Sequence, residues 1–167
     1  MNNTEAHDGQ ISTGTPIKLI NDKQMRLLIA DDSKLLRKKL REELEKLGCE
    51  VFEAVNGKEA ITFDLEHEPD GIILDIVMPE VGGIEALQTI REVSPDVPVV
   101  MLSSAGTPQK LMQTLKMGAI DFIQKPYTHE QIVRAVETIR RVRIKNLKRA
   151  QEEAEKLKEF EEGGELQ

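Results

Sequence analysis

The feature that most constrains the fold of this chain is an alternation, repeated five times from Met25 onward, of a short apolar run and a segment of helical periodicity. RLLIA (26–30), EVFEAV (50–55), the run closing in ILD at Asp75, VPVVML (97–102) and DFIQ (121–124) read as strands. Between the first two, SKLLRKKLREELEKLG (33–48) spaces Leu36, Leu40, Leu44 and Leu47 three or four apart and stops at Gly48. GKEAITFDLEHE (57–68) is a second helix, halted by Pro69. Ile84, Leu87 and Ile90 mark a third helix ending near Val93, and PQKLMQTLKMG (108–118) a fourth. A fifth begins beyond Pro126, where Thr128 and Gln131 have the spacing of a capping box. Strands that alternate with helices of this length predict an α/β fold, a doubly wound five-stranded parallel sheet with five helices, the last extended.

The flanks differ in kind. Residues 1–24 are polar and without periodicity, which predicts a disordered N-terminal tail. Residues 145–167 form a charged helical extension, leaving 25–144 as the globular domain. A net charge of -7 argues against a nucleic-acid partner. Cys49 is the only cysteine, so no disulfide closes within the chain, as suits a reducing compartment. No apolar run approaches membrane-span length, and the N-terminus lacks the form of a signal peptide. A cytoplasmic protein with no membrane partner is the expectation.

Ligands of open α/β sheets bind outside the carboxyl ends of the strands. There the chain carries Asp31 and Asp32 after strand one, Asp75 after strand three, Ser103 after strand four and Lys125-Pro126 after strand five. Each has an ordinary explanation. Asp32 or Ser33 caps a helix, Asp75 opens a turn before Pro79, Ser103 bonds a local backbone group, and Lys125 is a solvated charge. All four explanations would have to hold independently while falling on one edge of the sheet.

The motifs LLIADDS, IILDIVMP, VVMLSSAG and GAIDFIQKP, in this order over residues 25–144, resemble the receiver domain of two-component response regulators, the CheY-like family. The resemblance implies a flavodoxin-like sheet with strand order 2-1-3-4-5. It implies that Asp75 is a phosphoacceptor for a histidine kinase, and that Mg2+ is held by Asp31, Asp32, Asp75 and the backbone carbonyl of Val77. Lys125 and Ser103 would contact the phosphoryl group, with Ser103 and Phe122 as the switch and a cis bond before Pro126. The protein target would bind on the face near Phe122 and the last helix. A haloacid-dehalogenase-like phosphatase, the alternative from another class, needs a second acid where Val77 stands, so a multiple-turnover enzyme is not expected. No phosphate-binding glycine loop occurs, and His7, His67 and His129 are scattered. The chain is either a stand-alone module or a regulatory part of a larger output protein. Val77 and Ala105, two positions after the acceptor and the strand-four hydroxyl, have no group to orient a water, which implies a long-lived phosphoryl group. In the last helix, Ile132, Val136 and Ile139 face the sheet or a partner, and Leu147, Ala150, Ala154 and Leu157 resume the stripe after Arg143. That pattern predicts a weak parallel homodimer through residues 132–160.

Overall fold

A computed structural model describes residues 24–104 and 108–164; nearly all of the expected disordered tail (1–24) lies outside these, as does Ala105. The element order is β1 (Arg26–Ala30), α1 (Lys34–Lys46), β2 (Glu50–Ala54), α2 (Gly57–His67), β3 (Gly71–Asp75), α3 (Gly83–Val93), β4 (Val99–Ser103), α4 (Pro108–Lys116), β5 (Asp121–Gln124) and α5 (His129–Gly164). All strands are parallel, in the order β2-β1-β3-β4-β5.

Alternation along the strands divides the interior in two. Leu28, Ala30, Ile72, Leu74, Val99 and Met101 pack under α2, α3 and α4, against Ala60, Ala86, Leu87, Ile90 and Leu111. Leu27, Ile29, Ile73, Val100, Leu102 and Ile123 face the other way, against Leu40 and Leu44 of α1 and Ile132, Val136 and Ile139 of α5. Strands covered on both faces must be apolar throughout, which is why β3 and β4 read as unbroken runs. Each fully buried Leu or Ile contributes about 1.5–3 kcal/mol.

Element ends follow local chemistry. Ser33 caps α1 by accepting from Leu36 N (3.3 Å), and Asn56 caps α2 by accepting from Glu59 N (2.8 Å). Gly48, at φ 85, takes the left-handed turn that ends α1. The capping box at α5 forms in both directions: Thr128 N donates to Gln131 Oε1 (2.8 Å) and Gln131 N to Thr128 Oγ1 (3.2 Å). Three strand limits differ from the sequence reading, β4 closing at Ser103 rather than Leu102. β4 starts at Val99 rather than Val97, because Pro98 has no N–H and joins the ladder only through its carbonyl, which accepts from Ile72 N at 2.9 Å. β2 stops at Ala54 rather than Val55, where the last ladder bond, Asp31 N to Ala54 O at 3.2 Å, is spent and the chain turns to cap α2.

Residues 24–143 form one compact unit, and the C-terminal part of α5 from Ile144 belongs to another. Within the first unit, Ile132, Val136 and Ile139 are buried, and Arg143 pairs with Asp70 at 3.5 Å. The N-terminal half of the stripe assigned to a homodimer is therefore occupied by the sheet. In the C-terminal part, Leu157 and Phe160 are 61% and 79% exposed. No helix among the described residues is long and apolar enough to cross a membrane.

α2 carries a buried acid of its own. Asp64 is 2% exposed and accepts from Ser94 Oγ at 2.7 Å. Burial raises its carboxyl above the ordinary value, against the Ser94 bond and the Arg91 charge that lower it. Between its unfolded and folded pKa values the folded state holds more protons, so stability falls as pH rises through that window. Asp64→Asn keeps an acceptor for Ser94 and is expected to raise the melting temperature at pH 7. Thermal scans at several pH values should show the gain closing as pH falls toward the ordinary carboxylate range.

Candidate functional site

β1 and β3 are neighbours in the sheet although β2 lies between them in sequence, so the crevice at their carboxyl ends is the point where strand order reverses. Ala30 pairs with Leu74, which puts Asp31 and Asp75 side by side at the end of the ladder. Asp75 pairs with Leu102, which puts Ser103 one step further along β4. Gln124 pairs with Ser103, and Lys125 N donates to Ser103 O at 2.7 Å, so β5 delivers Lys125 to the same rim.

Lys125 is the centre of the site. Its Nζ donates to Asp31 Oδ2 at 2.7 Å and to Asp75 Oδ2 at 2.6 Å. The second oxygens are held by backbone: Ser33 N donates to Asp31 Oδ1 (2.9 Å) and Val77 N to Asp75 Oδ1 (3.2 Å). Asp31 and Asp75 are 2% and 3% exposed, whereas Asp32 stands exposed at the mouth. Ligand oxygens of the three carboxylates lie within 4.8 Å of one another.

The charges do not balance inside this cluster. Three carboxylates against one ammonium leave a formal excess of two negative charges. Burial pushes the Asp75 carboxyl up, the Lys125 bond and charge pull it down, and the charge of Asp31 adds to the rise; the net direction is upward. Burial works against the Lys125 ammonium as well, but its bonds to Asp31 and Asp75 prevail and hold it above the ordinary lysine value. One cation shared by two acids stays charged, and one of the acids bears the cost. A divalent cation would cancel the excess. Carboxylate oxygens grouped in this way are the donor set that would suit a hard divalent cation such as Mg2+.

Ser103, Phe122, Val77 and Pro126 are the other residues named from the sequence. The Ser103 hydroxyl donates to Ser104 O at 2.9 Å rather than to a carboxylate. Phe122 is half-buried and packs on the core face shared with α4. Val77 carries its side chain 57% exposed beside the acids. The Lys125–Pro126 bond is cis. One contact was missed: Arg37, from the first turn of α1, donates to the carbonyl of Asp31 at 2.7 Å. Its neighbours Lys38 and Lys39 are exposed, and nothing in the string RKK tells the partly buried guanidinium from two solvated amines.

A family model described as the response regulator receiver domain matches residues 27–137. Chemotaxis protein CheY of Thermotoga maritima is 36% identical over 115 residues, 68% of this chain and 96% of that protein. A protein-glutamate methylesterase/protein-glutamine glutaminase of Archaeoglobus fulgidus is 47% identical over 105 residues, which are 61% of this chain and 30% of that longer protein. Among solved structures, the CheX–CheY–BeF3–Mg2+ complex from Borrelia burgdorferi matches with a TM-score of 0.66 and 31% identity, over 69% of this chain and 88% of that one.

Proposed function

The chain belongs to the response regulator receiver family, and from that membership we propose that Asp75 is its phosphoacceptor and a histidine kinase its phosphodonor. The observation that carries this reading is a buried carboxylate at the end of a central strand, 2.6 Å from a lysine and within 4.8 Å of two further carboxylates. An Asp75 oxygen attacks phosphorus; its bond to phosphorus forms as the phosphorus–nitrogen bond to the kinase imidazole breaks, and the imidazole leaves with the electron pair. Lys125 donates to a phosphoryl oxygen in place of Asp75 Oδ2. Asp31, Asp32, Asp75 and the Val77 carbonyl would hold Mg2+, which supplies neutralisation of charge on the phosphoryl oxygens. Ser103 then exchanges its local bond to Ser104 for the phosphoryl group, and Phe122 follows, altering the face that a protein target reads. The chain acts as a phosphoacceptor module, not a multiple-turnover catalyst.

A cation at this site stabilises the folded state. Mg2+ at about a hundred times its dissociation constant is expected to add about 2.7 kcal/mol, read as a rise in melting temperature that EDTA reverses. The rise should shrink in Asp32→Ala, whose side chain makes no hydrogen bond among the described residues. A parent protein indifferent to Mg2+ would count against the cation site.

The lifetime of the phosphoryl group is read from the residues two positions after the acceptor and two after the strand-four hydroxyl. These are Val77 and Ala105, and neither side chain has a polar group to orient an attacking water. Replacing them with Asn and Glu is expected to hasten loss of the phosphate, followed by intact-mass spectrometry after removal of the donor. Equal decay in parent and double variant would refute this account.

The exposure of Leu157 and Phe160 favours a further role for the end of α5. With Ile132, Val136 and Ile139 committed to the core, the seam for a weak homodimer shortens to Leu147, Ala150, Ala154 and Leu157. Sedimentation of the full chain should show self-association absent from a version ending at Arg143. Identical monomeric behaviour of the two would leave the segment as a linker.

A further inference from the structure

Asp32 is the least supported carboxylate of the cluster. Asp31 and Asp75 each bond to a backbone N–H and to Lys125. Among the described residues no hydrogen bond reaches the exposed Asp32 side chain. Its direction is therefore set by its backbone, and first by the peptide group that joins it to Asp31. The carbonyl of that peptide lies just past the end of β1, and its partner is Arg37 Nη1 at 2.7 Å.

The guanidinium is itself braced. Arg37 is only 12% exposed in its side chain, and its Nε lies 3.3 Å from Glu53 Oε1 on β2, an ion pair without hydrogen-bond geometry. Glu53 Oε2 accepts from Arg41 Nη1 at 2.7 Å, and Arg41 Nε donates to Glu45 Oε1 at 2.7 Å. A train of charges thus runs from the outer face of α1 to the peptide between two carboxylates. A planar guanidinium, always charged, serves a carbonyl and a carboxylate at a fixed angle, whereas an ammonium is a single point charge on a flexible stem. Replacing the carbonyl's donor by nothing would leave that peptide plane free to rotate, and the Asp32 carboxylate would turn with it.

We propose that Arg37, braced by Glu53, is a positioning residue for the divalent-cation end of the site, fixing the Asp31–Asp32 peptide and through it the approach of Asp32. The proposal rests on the reading that Asp31, Asp32 and Asp75 hold Mg2+. Residues that orient the ligands of a metal typically change its affinity by about 10–100-fold when lost.

The test is a Mg2+ titration of the full chain, followed by amide NMR shifts at Asp31, Asp32 and Asp75, for the parent, Arg37→Ala, Arg37→Lys and Glu53→Gln. Alongside it, the rate of labelling by acetyl phosphate is measured against Mg2+ concentration. Arg37→Ala is expected to weaken Mg2+ binding about tenfold, with most of the labelling rate recovered at saturating Mg2+. Arg37→Lys should fall between parent and Ala, and Glu53→Gln should weaken binding by a smaller factor. If Arg37→Ala fails to fold, the Lys and Gln variants carry the same comparison. Parent-like Mg2+ affinity in the folded Arg37 and Glu53 variants would overturn the proposal, and so would a labelling rate that stays low at saturation, since that marks a general structural defect. A parent that binds no Mg2+ would instead overturn the cation reading on which the proposal stands.

Discussion

Asp75→Asn is expected to reduce labelling by acetyl phosphate to below about a thousandth of the parent rate, while the chain stays folded. The side chains are nearly isosteric, but the amide oxygen lacks the anionic lone pair that attacks phosphorus. Two contacts survive in form: Val77 N still finds an acceptor where Asp75 Oδ1 stood at 3.2 Å, and Lys125 keeps Asp31 at 2.7 Å. Stability should not fall. Burial raises the Asp75 carboxyl, so the folded state retains its proton to higher pH than the unfolded chain does, and the charge becomes a liability as pH rises through that window. Asparagine removes the liability, and the variant should melt no lower than the parent at pH 7. Intact-mass spectrometry after incubation with acetyl phosphate and Mg2+ reads the first claim and thermal denaturation the second. Labelling of Asp75→Asn at the parent rate would place the acceptor elsewhere.

Gly83→Ala is expected to cost about 3 kcal/mol or more, near the upper end for a single added methyl. Gly83 begins α3, and its N–H donates to Ile76 O at 2.8 Å, closing the loop that leaves Asp75. A Cβ there would collide with the Asp75 carbonyl oxygen and stand 2.8 Å from Ile76 Cα. Both obstacles are backbone, so no rotamer relieves them; either α3 or the end of β3 must move. The strain falls on the peptide that carries the candidate acceptor, so Mg2+ response should fail together with stability. Melting followed by circular dichroism should drop by about 10 °C or more. Gly82→Ala is the internal control, since its Cβ would meet only Ile76 O at 3.5 Å, an ordinary contact. Equal behaviour of the two variants would show that the loop relaxes without cost.

The cluster was legible because its members are polar residues placed where apolar runs end. Asp75 interrupts a strand that is otherwise hydrocarbon, and Asp31 does the same at β1. Unbroken apolar runs marked the central strands, since residues buried on both faces leave no alternation. Arg37 was not legible: a guanidinium turned inward and an ammonium turned outward obey the same helical spacing, and only the position of the Asp31 carbonyl separates them. Ser103 illustrates a different gap. Its place on the rim follows from strand order, but the direction of its hydroxyl, toward Ser104 O at 2.9 Å, depends on a rotor that no pattern encodes.

In the last helix the sequence offered one apolar stripe with two possible uses. Its spacing is the same whether Ile139 meets a sheet or a second helix. The fold decides, because Gly71 has no side chain and an added Cβ there would collide with Ile139 Cγ2, so that side chain fills the space above β3. Arg143, which broke the stripe, finds Asp70 at 3.5 Å. By itself, then, the sequence determined the alternation of elements, the apolar strands and the identity of the groups at their ends, since those depend on neighbours within a few residues. Only the tertiary structure decided which acids share Lys125 and which half of α5 remains exposed, because the Lys125 contacts join residues 50 and 94 positions apart along the chain and Ile139 meets Gly71 on a distant strand, and distance in space between such residues is fixed by sheet order and not by local spacing.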